Sequence, residues 1–132
     1  MTGAKTWVKP IKSYAMALIR VKNLLLRTFI GFNPDEITNQ QDVVINIEIE
    51  AHIPEEILLA DEPDGIYNYR TITKQIILLV QNNRFKLLEV LTKSILDLIM
   101  LDERVTRARV EVDKPHALRF AESVSFEMEA RR

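Results

Sequence analysis

Lys114 closes the segment Thr106-Arg107-Ala108-Arg109-Val110-Glu111-Val112-Asp113-Lys114-Pro115. Thr106, Ala108, Val110 and Val112 share its parity, while Arg107, Arg109, Glu111 and Asp113 take the other. Side chains two apart lie on one face of a strand, so Lys114 emerges on the apolar face where Pro115 forbids a further ladder hydrogen bond. An ammonium there is either a stem lying along apolar surface with its head in water, or a desolvated amine suited to moving protons.

Three further residues bear on that choice. Glu89 stands at the start of the apolar run Phe85-Lys86-Leu87-Leu88-Glu89-Val90-Leu91. A carboxylate there can simply stabilise a helix N-terminus. Partly desolvated by the flanking leucines, it is also a planar two-oxygen acceptor for a ligand with two adjacent N–H donors. Glu36 sits in a turn with Asn33 and Pro34, and Tyr69 follows Tyr67-Asn68 just ahead of a helical pattern. Taken alone, Glu36 reads as a solvated turn residue and Tyr69 as a packed ring with its hydroxyl in water. His52 and His116 are the only histidines, and there is no cysteine. That falls short of the three or four protein ligands a zinc site uses, so no metal is expected. The sequence also lacks a Gly-rich phosphate loop, a Gly-x-Ser-x-Gly elbow and a His-Glu-x-x-His pattern, which argues against hydrolase and nucleotide-loop chemistry.

The elements that must position these groups form one domain. At 132 residues and 47% hydrophobic content the chain has apolar material for a single core. The formal net charge of −1 and the pI near 6.1 give no reason to expect nucleic-acid binding. The absence of cysteine suits a reducing interior, and a cytoplasmic location is expected. The apolar stretch 14–19 is broken at Arg20 and is far shorter than the roughly 20 residues of a membrane span. Residues 1–15 are expected to form an N-terminal extension, with the domain covering 16–132.

Within the domain, Val43, Ile45, Ile47, Ile49 and Ala51 alternate with polar partners, the period of a half-buried strand. The stretch 18–30 is also β-rich, but its apolar parity shifts around 23–25, as a bulge would cause. The two read as a long hairpin whose irregular loop carries Asp35 and Glu36. A surface connection over 53–68, with one short helical turn near 55–59, leads to two helices. Ile72, Ile76, Ile77 and Val80 form the stripe of the first, with Asn82-Asn83 as its stop. Leu87, Leu88, Leu91, Ile95, Leu98 and Ile99 form the stripe of the second. Strands over 104–114 and 123–130 complete a β-β-α-α-β-β order, which indicates an α+β layer with an antiparallel four-stranded sheet. Two helices cover one face. The other carries Glu48 and Glu50 opposite Arg107 and Arg109, and is expected to be wet or to line a polar channel in an assembly.

From about Leu18 onward the chain resembles the dihydroneopterin aldolase family. The segments that carry the likeness are Arg27-Thr28-Phe29-Ile30-Gly31, Glu36 with Asn39-Gln40-Gln41-Asp42, Asn68-Tyr69-Arg70-Thr71, Asn82-Asn83-Arg84-Phe85, Leu87-Leu88-Glu89, and Asp113-Lys114-Pro115-His116-Ala117-Leu118-Arg119. The resemblance implies a tunnelling fold (T-fold), whose sheets join into a ring-shaped barrel, a tetramer or a stacked octamer with active sites at subunit interfaces. It implies a small pterin substrate and no cofactor, because the pterin itself accepts the electrons of a retro-aldol cleavage. Residue by residue it makes Glu89 the pterin anchor, with Leu88 supplying backbone beside it. Glu36 becomes the loop glutamate, Tyr69 a tyrosine supplied by a neighbouring subunit, and Lys114 the catalytic lysine, its pKa lowered by desolvation. The Asn-Tyr-Arg-Thr, Asn-Asn-Arg-Phe and His-Ala-Leu-Arg-Phe-Ala-Glu-Ser-Val-Ser segments look more like the branch that inverts C2′ of the triphosphate substrate than the branch that cleaves. On that reading Arg70, Lys74, Arg84 and Arg119 are candidate phosphate contacts.

Overall fold

The computed structural model describes residues 14–132. Four strands pair in the order β1-β2-β3-β4, all antiparallel: β1 is Tyr14–Thr28, β2 Gln41–Pro54, β3 Val105–Lys114 and β4 Val124–Arg131. Helices α3 (Tyr69–Gln81) and α4 (Leu88–Met100) lie between β2 and β3, as the periodicities require. Two shorter helices join them, α1 (Pro34–Thr38) in the hairpin connection and α2 (Glu55–Ala60) after β2. The connection expected to be an irregular loop thus contains a helical turn. Pro34 occupies its first position, where a missing N–H costs nothing, and the Asn33 carbonyl accepts from Glu36 and Ile37 N–H at 2.9 and 3.1 Å. β1 begins at Tyr14, opposite Pro54, two residues inside the segment read as an extension; the rest of that segment lies outside the described residues.

The parity shift in β1 is a bulge at Lys22-Asn23, between the pairs Val21↔Ile47 and Leu24↔Ile45. Asn23 takes a positive φ of 54°, and its N–H donates to Asn46 Oδ1 at 2.9 Å while Asn46 Nδ2 returns a bond to Asn23 Oδ1 at 3.2 Å. The bulge moves the inward positions from Ile19 and Val21 to Leu24, Leu26 and Thr28. Thr28 is thereby buried, and its hydroxyl donates to the Val80 carbonyl at 2.8 Å, tying β1 to the end of α3. A second irregularity, beside Glu50-Ala51, puts Val105 rather than Thr106 on the inner face of β3.

Ile45, Ile47 and Ile49 of β2 and Ala108, Val110 and Val112 of β3 pack against Ile76 and Val80 of α3 and Leu91, Ile95 and Ile99 of α4. Full burial of each large aliphatic stabilises the fold by roughly 1.5–3 kcal/mol. Leu96 and Thr92 join this core, whereas Leu87 is an exposed cap rather than part of the α4 stripe. The opposite face is a charge lattice. Glu48 meets Arg109 at 3.1 Å, Arg107 at 3.3 Å and Arg20 at 3.4 Å, and the arginines reach on to Glu127 and Glu129 of β4. Arg109 foremost, with Arg107 and Arg20, holds the Glu48 carboxyl down at about 2. Among the described residues no helix is long and apolar enough to cross a membrane.

Candidate functional site

Lys114 ends β3 on the inner face, and the carboxylate of Glu36 meets it. Lys114 Nζ lies 2.7 Å from Glu36 Oε2, with only 13% and 14% of the two side chains exposed. The amine is thus largely enclosed and paired with a carboxylate. Glu36 is held on three further sides. Gln41 Nε2 donates to Oε2 at 3.0 Å and to the Ile30 carbonyl at 2.7 Å, while Asn33 Nδ2 and the Asn33 N–H donate to Oε1 at 2.9 and 3.4 Å. The Lys114 hydrogen bond, aided by Gln41 and Asn33, holds the Glu36 carboxyl at about 2 against the opposing effect of burial. Because that value lies below the ordinary 4.5, the pair's contribution to stability is complete above pH 4.5 and is lost as pH falls through about 2.

Gly31 makes this contact possible. Its φ is +124°, and a Cβ built there would lie 2.2 Å from Glu36 Cδ. Gly31→Ala is expected to drive the carboxylate off Lys114, and NMR titration of Glu36 should move up from about 2 toward 4.5. An unmoved titration would show that the cradle accommodates the methyl group.

The same glycine links the pair to α4. Gly31 N–H donates to the Phe85 carbonyl at 2.9 Å and Phe85 N–H to the Phe29 carbonyl at 3.3 Å, a parallel bridge that draws the start of α4 toward Lys114's end of the sheet. Glu89 is in the first turn of α4, and Leu88 is its first residue. Within one chain, however, Glu89 is exposed and its neighbours Leu87 and Val90 are open to solvent. The expected desolvation by flanking leucines is absent from the single chain, because the helix turns its core stripe, Leu91 and Ile95, inward instead.

Tyr69 is elsewhere. Asn68 caps α3, its Oδ1 accepting from Arg70 and Thr71 N–H at 3.0 and 3.2 Å. The segment before it is pinned by Arg104, which donates to the Ile66 and Gly65 carbonyls at 3.0 and 3.1 Å, faces the Tyr67 ring and pairs with Asp102 at 2.7 Å. Arg104 precedes β3, whereas Lys114 ends it. Tyr69, 59% exposed, therefore stands at the opposite end of the sheet from Lys114.

The four candidate phosphate contacts divide in the same way. Arg70 and Lys74 are exposed on α3 at the Tyr69 end. Arg84 and Arg119 are in the connections at the Lys114 end. Arg84 is already engaged: its guanidinium stacks 3.7 Å from the Phe29 ring centroid and donates to the Ile37 carbonyl at 3.0 Å, bracing α1 and hence Glu36. Gln41, Gly31 and Arg84 thus serve the pair in ways that sequence reading did not assign. Contacts across 47 residues for Arg84 leave no local signature.

Glu36 also separates two cavities. One of about 180 Å³ is lined by Phe29, Gly31, Ile37, Arg84, Phe85 and Lys86. The other, about 220 Å³, is lined by Asn33, Asp35, Asn39, Gln41, His116 and Ala117. Among the described residues no cluster of three or more His, Cys, Asp or Glu is placed to hold a metal ion.

A four-stranded antiparallel sheet with its two main helices between β2 and β3, a charged outer face and an enclosed lysine–glutamate pair at the sheet's end define a tunnelling-fold protein. A family model described as FolB, dihydroneopterin aldolase, matches residues 19–129. The chain belongs to the dihydroneopterin aldolase family. It is 55% identical to a dihydroneopterin triphosphate 2′-epimerase of Pseudomonas aeruginosa over 89% of this chain and 94% of that one. With the enzyme of the same description from Escherichia coli K12 the identity is 50%, over 88% and 96%. Escherichia coli dihydroneopterin aldolase, solved in complex with neopterin, superposes with a TM-score of 0.80 at 24% identity, over 87% of this chain and 99% of that one, which establishes the shared fold.

Proposed function

We propose that the protein is an isomerase that inverts C2′ of 7,8-dihydroneopterin triphosphate, giving dihydromonapterin triphosphate by retro-aldol cleavage and re-addition. The observation that carries the chemistry is the enclosed contact of Lys114 with Glu36, whose side chain lines a polar cavity. The similarity to relatives described as 2′-epimerases favours inversion as the outcome.

In the reaction Glu89 accepts the pterin's amino and ring N–H groups as a bidentate pair, with Leu88 backbone beside it. Lys114, acting as the neutral amine once its ammonium proton has passed to water, removes the 2′-hydroxyl proton, with Glu36 and Tyr69 ordering water and hydroxyls. The C1′–C2′ bond breaks, and its electrons turn the C6=N5 imine of the pterin into an enamine. The substrate is its own electron sink, so the step calls for no metal, no pyridoxal and no lysine Schiff base. The aldehyde then re-adds through its other face. Arg70, Lys74 and Arg119 remain the cations for the triphosphate; Arg84 contributes through its bracing of α1.

The second reading is aldolase activity, with release of glycolaldehyde and 6-hydroxymethyl-7,8-dihydropterin, which the description of the family model favours. The same residues serve it. Under either reading we propose a cytoplasmic homo-oligomeric ring, a tetramer or a stacked octamer; the separation of Tyr69 from Lys114 within one chain supports a site shared between subunits. Purified protein given dihydroneopterin triphosphate is expected to form the monapterin isomer, as resolved by chromatography. Rapid cleavage of dihydroneopterin with no isomer from the triphosphate would establish the aldolase reading instead.

A further inference from the structure

Inversion at C2′ demands something that cleavage does not. If the chain beyond C2′ stays anchored, exposing the other face of the aldehyde exchanges the places of hydrogen and oxygen on that carbon. The carbonyl oxygen then points away from the group that took the first proton. An alkoxide forms there as the bond closes, and it needs a donor of its own.

Resting on the epimerase reading, we propose that His116 is that donor. It stands on the rim of the polar cavity whose wall is Glu36, and a turn closed by Ala117 N–H to the Lys114 carbonyl at 3.4 Å carries it there. The amides that line the cavity can donate a hydrogen bond but do not give up a proton, and Asn33 Nδ2 already meets Glu36 Oε1 at 2.9 Å. Gln41 spends its amide N–H groups on Ile30 and Glu36, and Asn39 donates to the Asp35 carbonyl and to Thr38. Glu36 is an ion-paired acceptor and Asp35 is a carboxylate, so neither is suited to donate. The His116 imidazole makes no hydrogen bond to any described residue, and histidine is the side chain that exchanges protons near neutral pH. It also borders an adjoining cavity of about 230 Å³ with Arg27 and Asp42, which leaves it in contact with water.

The proton balance closes. In the first step Lys114, entering as the neutral amine after its ammonium proton has passed to water, takes the proton of the 2′-oxygen, and N5 takes one from water as the imine becomes an enamine. In the re-addition the C1′=C6 electron pair forms the C1′–C2′ bond, C6=N5 returns and N5 releases its proton to water. The carbonyl π pair moves to oxygen, which takes a proton from His116. Water then carries the proton held by Lys114 back to His116.

The test is product partition in the full-length protein with dihydroneopterin triphosphate. In His116→Ala, inversion is expected to fall about a hundredfold, the low end of what a positioned general acid contributes, while cleavage to hydroxymethyl-dihydropterin stays within about threefold. Added imidazole should restore inversion in that variant, and His116→Gln should show the same partition. Equal loss of both products, or unchanged inversion, would overturn the assignment. Wild-type protein run alongside separates the failures: no isomer from wild type removes the proposed activity and this inference together, whereas isomer from wild type and variant alike removes only the role of His116.

Discussion

Lys114→Ala is expected to cut turnover by about 10²–10⁴-fold, the range a positioned acid–base group supplies, while pterin binding changes little. The separation follows from geometry. Lys114 meets Glu36 at the end of β3, whereas the proposed anchor for the pterin donors is Glu89 on α4, so the two tasks sit on different elements. In kinetic terms the loss belongs in kcat, with the dissociation constant measured by direct titration close to that of wild type. The variant should also be more sensitive to acid. Glu36 would lose the largest influence holding it at about 2, and its titration would rise toward 4.5. Acid stability present in wild type between those values would then be missing from the variant. Lys114→Met, which keeps the apolar stem, controls for lost packing. Turnover within about tenfold of wild type in both variants would remove Lys114 from the chemistry.

The fold was largely legible in the sequence because its two faces differ so sharply in type. Ile45, Ile47 and Ile49 against Asn46, Glu48 and Glu50 admit one orientation of β2, and the same parity in β3 forces the sheet's charged face outward. The bulge near Asn23 was legible for the same reason, as an interruption of that parity. The α1 turn was not, since five residues without a buried side chain present no hydrophobic period. Its N-terminal Asn33, Pro34 and Glu36 are also what a simple turn would show.

The site was legible one residue at a time and not as an arrangement. Lys114 could be read from strand parity and Pro115, but its pairing with Glu36 spans 78 residues and depends on Gly31 leaving room for the carboxylate. The resemblance placed Glu36, Tyr69, Glu89 and Lys114 in one site. A single chain brings Glu36 and Lys114 into contact, sets Glu89 near their end with its carboxylate exposed, and leaves Tyr69 far off. The anchor role proposed for Glu89 requires another surface to cover it, with Leu87 and Val90, during binding.

Tyr69 turns that argument into an experiment on mixed assemblies. From Arg104 to Lys114 the strand spans roughly 30 Å at about 3.3 Å per residue. Tyr69 is three residues from Ile66, whose carbonyl Arg104 holds at 3.0 Å, and three extended residues reach at most about 11 Å. Within one chain Tyr69 and Lys114 thus stand toward opposite ends of the strand, and the proposed mechanism takes the Tyr69 that serves a given Lys114 from another subunit. Lys114→Ala and Tyr69→Ala proteins should each be nearly inactive alone. Unfolded together and reassembled in equal amounts, they should regain activity at about one quarter of the sites, the chance that an intact lysine subunit adjoins an intact tyrosine subunit across one interface. Coexpression with two affinity tags would isolate the mixed rings free of the homogeneous inactive ones, and the fraction there should be slightly above one quarter. If Tyr69 and Lys114 acted within one chain, every site in such a ring would carry a defect, and mixing would restore nothing.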